Sequence, residues 1–292
     1  MKTGDYRRDY AAYMAALERA RYDYHAGSGA PHLRLDALRE RYAADLLTRA
    51  AIDDLTRARE EIPAQFETER TALAALLRAA QLGYLEECAG EVTNELARCT
   101  ASARVVWDGA TLAPDDAPDA LAAEPDATRR RELSARWFDA LRACSDLRAA
   151  RLETLVEAAR TLGFDSYFGL LSEVAATPLE SLSAGADNFL ERTAHVYNAN
   201  LFEWSVRHLP ADFARAPVYA DSLFFMRLAH LEQFFSASEL GATYDATMRG
   251  LGIRVEAQRN VRLEMIENES GRTRAGCFAL NPPEDVRLVY RN

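Results

Sequence analysis

Along the first 250 or so residues, apolar side chains recur every three or four positions, the spacing of helices with one buried stripe. Residues 5 to 26 place Tyr6, Tyr10, Tyr13, Met14 and Leu17 on one face and charged residues on the other, and Gly27 to Pro31 end that helix. A second helix is expected over roughly 35 to 60, with Leu35, Leu38, Tyr42, Leu46 and Leu47 inward. Pro63 opens a third, and the stretch from Thr71 to Ala103, rich in Ala and Leu, supplies one or two more. Residues 108 to 126 break the pattern with Asp108-Gly109, Pro114, Asp115-Asp116, Pro118 and Pro125, and read as a loop and the one candidate boundary inside the helical part. Asp126 can cap the next helix, whose inner stripe is Leu133, Trp137, Leu141 and Cys144 and which continues to a stop at Gly163. Capping boxes at Thr177-Pro178-Leu179-Glu180 and Ser236-Ala237-Ser238-Glu239 predict two further helix starts. From the first of these, Leu182, Ala186, Phe189, Leu190, Tyr197, Leu201 and Trp204 follow one helical stripe.

After Gly252 the period falls to two. Ile253, Val255 and Ala257, then Val261, Leu263 and Met265, alternate with polar neighbours and predict strands. A turn at Asn268 to Gly271 leads to Cys277 to Leu280, a proline turn at Asn281-Pro282-Pro283, and a last strand over Val286 to Tyr290. The expected fold is mainly α: a multi-helix body carrying a small antiparallel or mixed sheet over about residues 253–290. Its regions are 1–107, helical; 127–252, a second helical part of the same body; and 253–292, the start of a sheet.

Composition changes this picture only by exclusion. The 292 residues are 49% hydrophobic, enough for a large core, and carry 35 Lys and Arg against 45 Asp and Glu, a net charge of −10. An acidic chain without a basic face argues against nucleic acid as a partner. The densest basic run, Arg129-Arg130-Arg131, is followed by Glu132 and reads as a solvated helix face. No run approaches the length of about 20 apolar residues that spans a bilayer, so no membrane partner is expected. The charged N-terminus lacks an export signal, which points to a cytoplasmic setting. Cys88, Cys99, Cys144 and Cys277 are far apart, so neither a zinc site nor a disulfide framework is expected.

Candidate chemistry is sparse. His25, His32, His195, His208 and His230 form no H-E-x-x-H string, and neither a serine elbow nor a phosphate loop occurs. Cys277, preceded by Arg272 and Arg274, is the one cysteine with cations nearby in sequence; the competing reading is a buried small apolar residue.

Three segments in order carry a resemblance. Residues 151 to 173 place Ala159-Arg160 before Leu162-Gly163-Phe164 and restart at Ser166-Tyr167; residues 248 to 266 pass through Leu251-Gly252-Ile253 into a strand; and residues 271 to 290 contain Ala275-Gly276-Cys277-Phe278 followed by the proline turn. Together they resemble the oligoendopeptidase F and thimet-oligopeptidase type of zinc peptidase, with Arg272 where that family has lysine and Cys277-Phe278 in inverted order. The resemblance implies that the parent protein binds zinc through an H-E-x-x-H helix lying beyond residue 292, so this chain is expected to hold no metal ligand, no catalytic residue and no activity alone. It also implies that Ala275, Gly276, Cys277 and Phe278 border the cleft and pair with the backbone of a short peptide. The alternative is a helical peptide-binding or scaffold protein without catalysis.

Overall fold

The computed structural model describes residues 3–26, 35–234, 236–254, 257–266 and 275–291. The expected helix end at Gly27 to Pro31, the turn at Asn268 to Gly271, Val255, and the cations Arg272 and Arg274 lie outside them. In chain order come α1 (Thr3–His25), α2 (Asp36–Leu46), α3 (Arg49–Glu61), α4 (Glu67–Cys88) and α5 (Gly90–Ser102), then β1 (Val105–Trp107) and β2 (Ala110–Leu112). Next are α6 (Ala117–Ala123), α7 (Ala127–Arg142), α8 (Ser145–Thr161), α9 (Tyr167–Val174), α10 (Leu179–His208), α11 (Ala211–Ala214), α12 (Tyr219–Met226) and α13 (Leu240–Gly250). The chain closes with β3 (Val261–Ile266), β4 (Ala275–Asn281) and β5 (Asp285–Arg291). The protein is therefore mainly α with a small C-terminal sheet. That sheet is mixed: its order is β3-β5-β4, with β3 parallel and β4 antiparallel to β5.

The chain divides into two compact units, residues 1–87 with 231–292, and residues 88–230. In the first, the C-terminal sheet joins the N-terminal helices because α1 packs on β4. Tyr6 is buried and its hydroxyl donates to the Leu46 carbonyl at 3.0 Å, tying α1 to the end of α2. Burial, with Tyr10 adding to it, pushes the Tyr6 hydroxyl well above the usual phenol range. The helix expected over 35 to 60 is two helices, since Thr48 turns the chain and its hydroxyl accepts the Ala51 N–H at 3.2 Å as an N-cap. Leu46, Leu47, Ile52, Leu55, Leu73, Leu77 and Leu85 bury their side chains, each contributing roughly 1.5–3 kcal/mol by leaving water.

In the second unit the segment 108 to 126 is ordered. Asp108 and Gly109 both have positive φ (49° and 75°) and join β1 to β2 as a two-residue hairpin, and α6 follows. Asp-Gly suits such a turn because both central residues must be left-handed. Val105, Ala117, Leu121, Leu133 and Ala220 form the core that holds this hairpin against α7 and α12. Asp126 caps α7, accepting from Thr128 and Arg129, and Gly163, at φ 92°, ends α8 as its position predicts.

Several expectations are corrected here. Arg130 is not on a solvated face: it is 0% exposed and paired with Asp221, also 0% exposed, at 3.0 Å. Asp221 sits 91 positions away, and only the packing of α12 on α7 brings it there. Cys99 and Cys144 form a disulfide, their Cα atoms 6.0 Å apart, because α5 packs beside α8 and sets the end of α5 against the junction of α7 and α8. Thr177 does not cap α10; its hydroxyl donates to Ala175, and Ser172 Oγ accepts the Leu179 N–H instead. Ser236 does not cap α13 either, its hydroxyl being paired with Ser238. Ile253 and Ala257 lie outside any strand, and pairing begins at Val261.

Candidate functional site

β4 carries the residues that the sequence singled out. It lies at one end of the order β3-β5-β4, so β5 pairs one side of its backbone, and among the described residues no strand pairs the other. Alternation along β4 sends Phe278 and Leu280 to one face, where both are buried, and leaves Ala275 and Cys277 exposed on the other. Cys277 is thus not the buried apolar residue that one reading of its position expects.

The buried face is fixed by α1. Phe278, Leu280 and Val289 pack together against Tyr22, whose ring meets that of Phe278 edge-on at 5.8 Å, and His25 lies 5.6 Å from the same ring. Beside this contact Tyr22 donates its hydroxyl proton to Glu264 at 2.6 Å, and Arg287 donates to both Tyr22 and Glu264 at 3.0 Å. Arg287 also forks onto Asp285. Asp285 and the neighbouring acceptors hold the Arg287 guanidinium above its ordinary range, while Arg287 holds the Asp285 carboxyl below its own. Burial and the Glu264 contact raise the Tyr22 hydroxyl. These polar ties cross from α1 to β3 and β5, while Phe278 and Leu280 of the edge strand pack against the same helix. Such an edge can accept an extended peptide through main-chain hydrogen bonds.

The opposite face of the sheet exposes Leu263 and Met265 together with Cys277. In the register, Cys277 is opposite Leu288, and Leu288 opposite Leu263, so these residues form one apolar row across three strands.

The second unit has a different surface. α10 buries only Ser205 among its 30 residues, and Leu182, Phe189, Leu190, Val196 and Tyr197 are all more than half exposed. At its C-terminal end a cavity of about 470 Å³ opens between α10 and α12, walled by Leu201, Trp204, Phe225 and Met226. Trp204 stacks on His208 at 4.8 Å. Burial, aided by Arg207 and His230, keeps the His208 imidazole below its ordinary range. The helical stripe that formed this wall is legible as Tyr197, Leu201 and Trp204 at i, i+4 and i+7; its exposure is not.

Among the described residues no group of three or more His, Cys, Asp or Glu side chains could hold a metal ion. No helix among them is long and apolar enough to cross a membrane. Compared with family models, with curated proteins and with solved structures, the chain finds no match.

Proposed function

We propose that the chain is the helical part of a zinc-dependent oligopeptidase of the oligoendopeptidase F and thimet type, and that its own share of the work is to hold a short peptide along β4. The observation that carries this reading is that Ala275 to Phe278, the residues the resemblance sets beside substrate, occupy the strand at one end of the sheet, with no strand on its other side among the described residues. Cysteine, alanine and glycine on that strand keep side chains out of the way of an incoming backbone. No step of hydrolysis is derived for these residues. Zinc, the water that it activates and the cytoplasmic setting belong to the same proposal; the Cys99–Cys144 disulfide pulls against the last of these, because disulfides persist mainly in oxidising compartments.

Successive backbone N–H groups of a strand point to opposite sides, so Gly276→Pro and Cys277→Pro remove one donor toward β5 and one toward the open edge. Anisotropy of a fluorescent extended pentapeptide should show one of the two variants binding at least about tenfold more weakly while hydrogen exchange finds its β5 ladder intact. Equal binding by both variants and the unaltered chain, or no peptide binding at all, defeats the reading.

The second reading, a helical scaffold without catalysis, is favoured by the exposed stripe of α10, which offers an amphipathic helix to a partner. Peptide binding that ignores both proline substitutions and is lost on Leu190→Asp would favour it.

A further inference from the structure

The first unit contains a cavity of about 470 Å³ that the β4 reading does not use, lined by α1, α2 and α4. Its walls are of two kinds. Leu17 and Leu47 are buried and, with Leu82, make an apolar floor. Around it stand the phenol rings of Tyr10 and Tyr13, 6.3 Å apart and tilted, and the charged side chains of Arg21, Arg39, Glu86 and Glu87 share the lining. Arg39 and Glu87 both act on the Tyr13 hydroxyl, which burial raises: Arg39 pulls it down and Glu87 pushes it up, so the two lie within electrostatic reach of one point.

Close packing keeps this space in being. A Cβ on Gly83 would run into Leu47 Cδ2, so a larger residue there would have to turn the Leu47 side chain. The volume is within the range of small-molecule sites, roughly 300–1,000 Å³, and an apolar floor with a few charged groups is their usual lining.

We propose that this cavity binds a small zwitterion with an apolar body, an amino acid or dipeptide bearing an aliphatic or aromatic side chain, with its carboxylate on Arg39, its ammonium on Glu87 and its side chain over Leu17 and Leu47. The two opposite charges orient the ligand, and the leucine floor selects against polar side chains. A hydrogen bond to a charged group contributes roughly 1.5–3 kcal/mol, so each end of the ligand accounts for about tenfold in affinity or more. The site is independent of the β4 reading: the proline substitutions in that strand should leave it untouched.

Calorimetry of the full chain with L-leucine, L-leucyl-L-leucine and their N-acetyl and C-amide forms tests it. Saturable binding is expected for at least one of the two free zwitterions, and which of them binds sets the ligand length. Blocking either end should weaken it about tenfold or more. Arg39→Ala should lose the same factor and become indifferent to amidation, and Glu87→Gln should become indifferent to acetylation. Ala79→Trp, which fills the cavity, should abolish binding, with circular dichroism unchanged in all three variants. Absence of saturable binding by both zwitterions in the millimolar range overturns the proposal, as do equal affinities for free and blocked ligands, or end-blocking penalties that survive in Arg39→Ala and Glu87→Gln. The last two variants change half-buried or exposed side chains, so the test stands if Ala79→Trp fails to fold.

Discussion

Two helices of the same unit reverse the usual sorting of residues. α7 is 16 residues long and its most charged stretch, Arg129 to Glu132, contains the fully buried Arg130; α10 is 30 residues long, carries the longer apolar stripe, and buries only Ser205. Polarity therefore does not decide which helix is interior. What decides is whether a partner satisfies the buried group. Arg130 has one: its guanidinium meets Asp221 twice, the Glu124 and Pro125 carbonyls at 2.8 and 2.9 Å, and the Phe224 ring at 4.2 Å. Asp221 in turn accepts from Arg131 and from the Val218 N–H, which starts α12. Every charge in the cluster is paired or hydrogen-bonded, the condition under which a buried ion pair is tolerated. α10 shows the converse, since its apolar stripe from Leu182 to Tyr197 lies largely exposed and only its end, at Leu201 and Trp204, meets α12.

The largest test of this contrast is to break the pair. Asp221→Ala leaves Arg130 buried and uncompensated and should cost about 3–5 kcal/mol in urea unfolding, whereas replacing both residues by apolar ones of similar size, Arg130→Met with Asp221→Leu, should recover much of it. A single loss under 1 kcal/mol would mean that the pair is not the clamp on α7. Next comes the disulfide, which closes a separation of 45 residues between α5 and the α7–α8 junction. Cys99→Ser or Cys144→Ser should cost about 2–4 kcal/mol, chiefly by freeing the unfolded chain, and mass spectrometry of alkylated protein should show one disulfide and two free thiols, Cys88 and Cys277. Four alkylated cysteines without reductant would remove that link.

Smaller effects belong to α10. Leu190→Ala, at a side chain 63% exposed, should change stability by no more than about 0.5 kcal/mol. A loss above 2 kcal/mol would show that the stripe is covered. At the end of the same helix, His208 is depressed below 6.5 in the folded chain, so the unfolded state takes up the proton first. Stability contributed there is present above pH 6.5 and declines as the pH falls through the depressed value, and His208→Asn should flatten that decline in a series of melting curves. Tyr6 works in the other direction. Its raised hydroxyl contributes stability that is present below pH 10 and lost above it, and Tyr6→Phe should remove this alkaline step together with about 1 kcal/mol for the bond to Leu46.

The fold class was legible because helical and strand periods are local. So were the Asp126 cap, the Gly163 stop and the strands around Cys277 and Val286, each set by residues within a few positions of one another. The β1–β2 hairpin was missed although Asp108-Gly109 announced it, because strands of three residues are too short to show an alternation. Of the candidate edge site, the residues were readable and the edge itself was not: strand order depends on which strand β5 chooses on each side. The cavity beside Tyr13 was wholly unreadable, since Arg39 and Glu87 come together only when α2 and α4 pack near α1.

By itself the sequence determined the helical body, the switch to strands after residue 252, and the stripes along each element, because period, caps and stops act over one or two turns of chain. Tertiary structure alone decided that Arg130 is interior, that Cys99 meets Cys144, that β4 stands at an edge and that the α10 stripe is largely exposed. Each of those depends on a partner, or the lack of one, tens of residues away, and charge pairing, cross-linking and burial are satisfied through space without regard to distance along the chain.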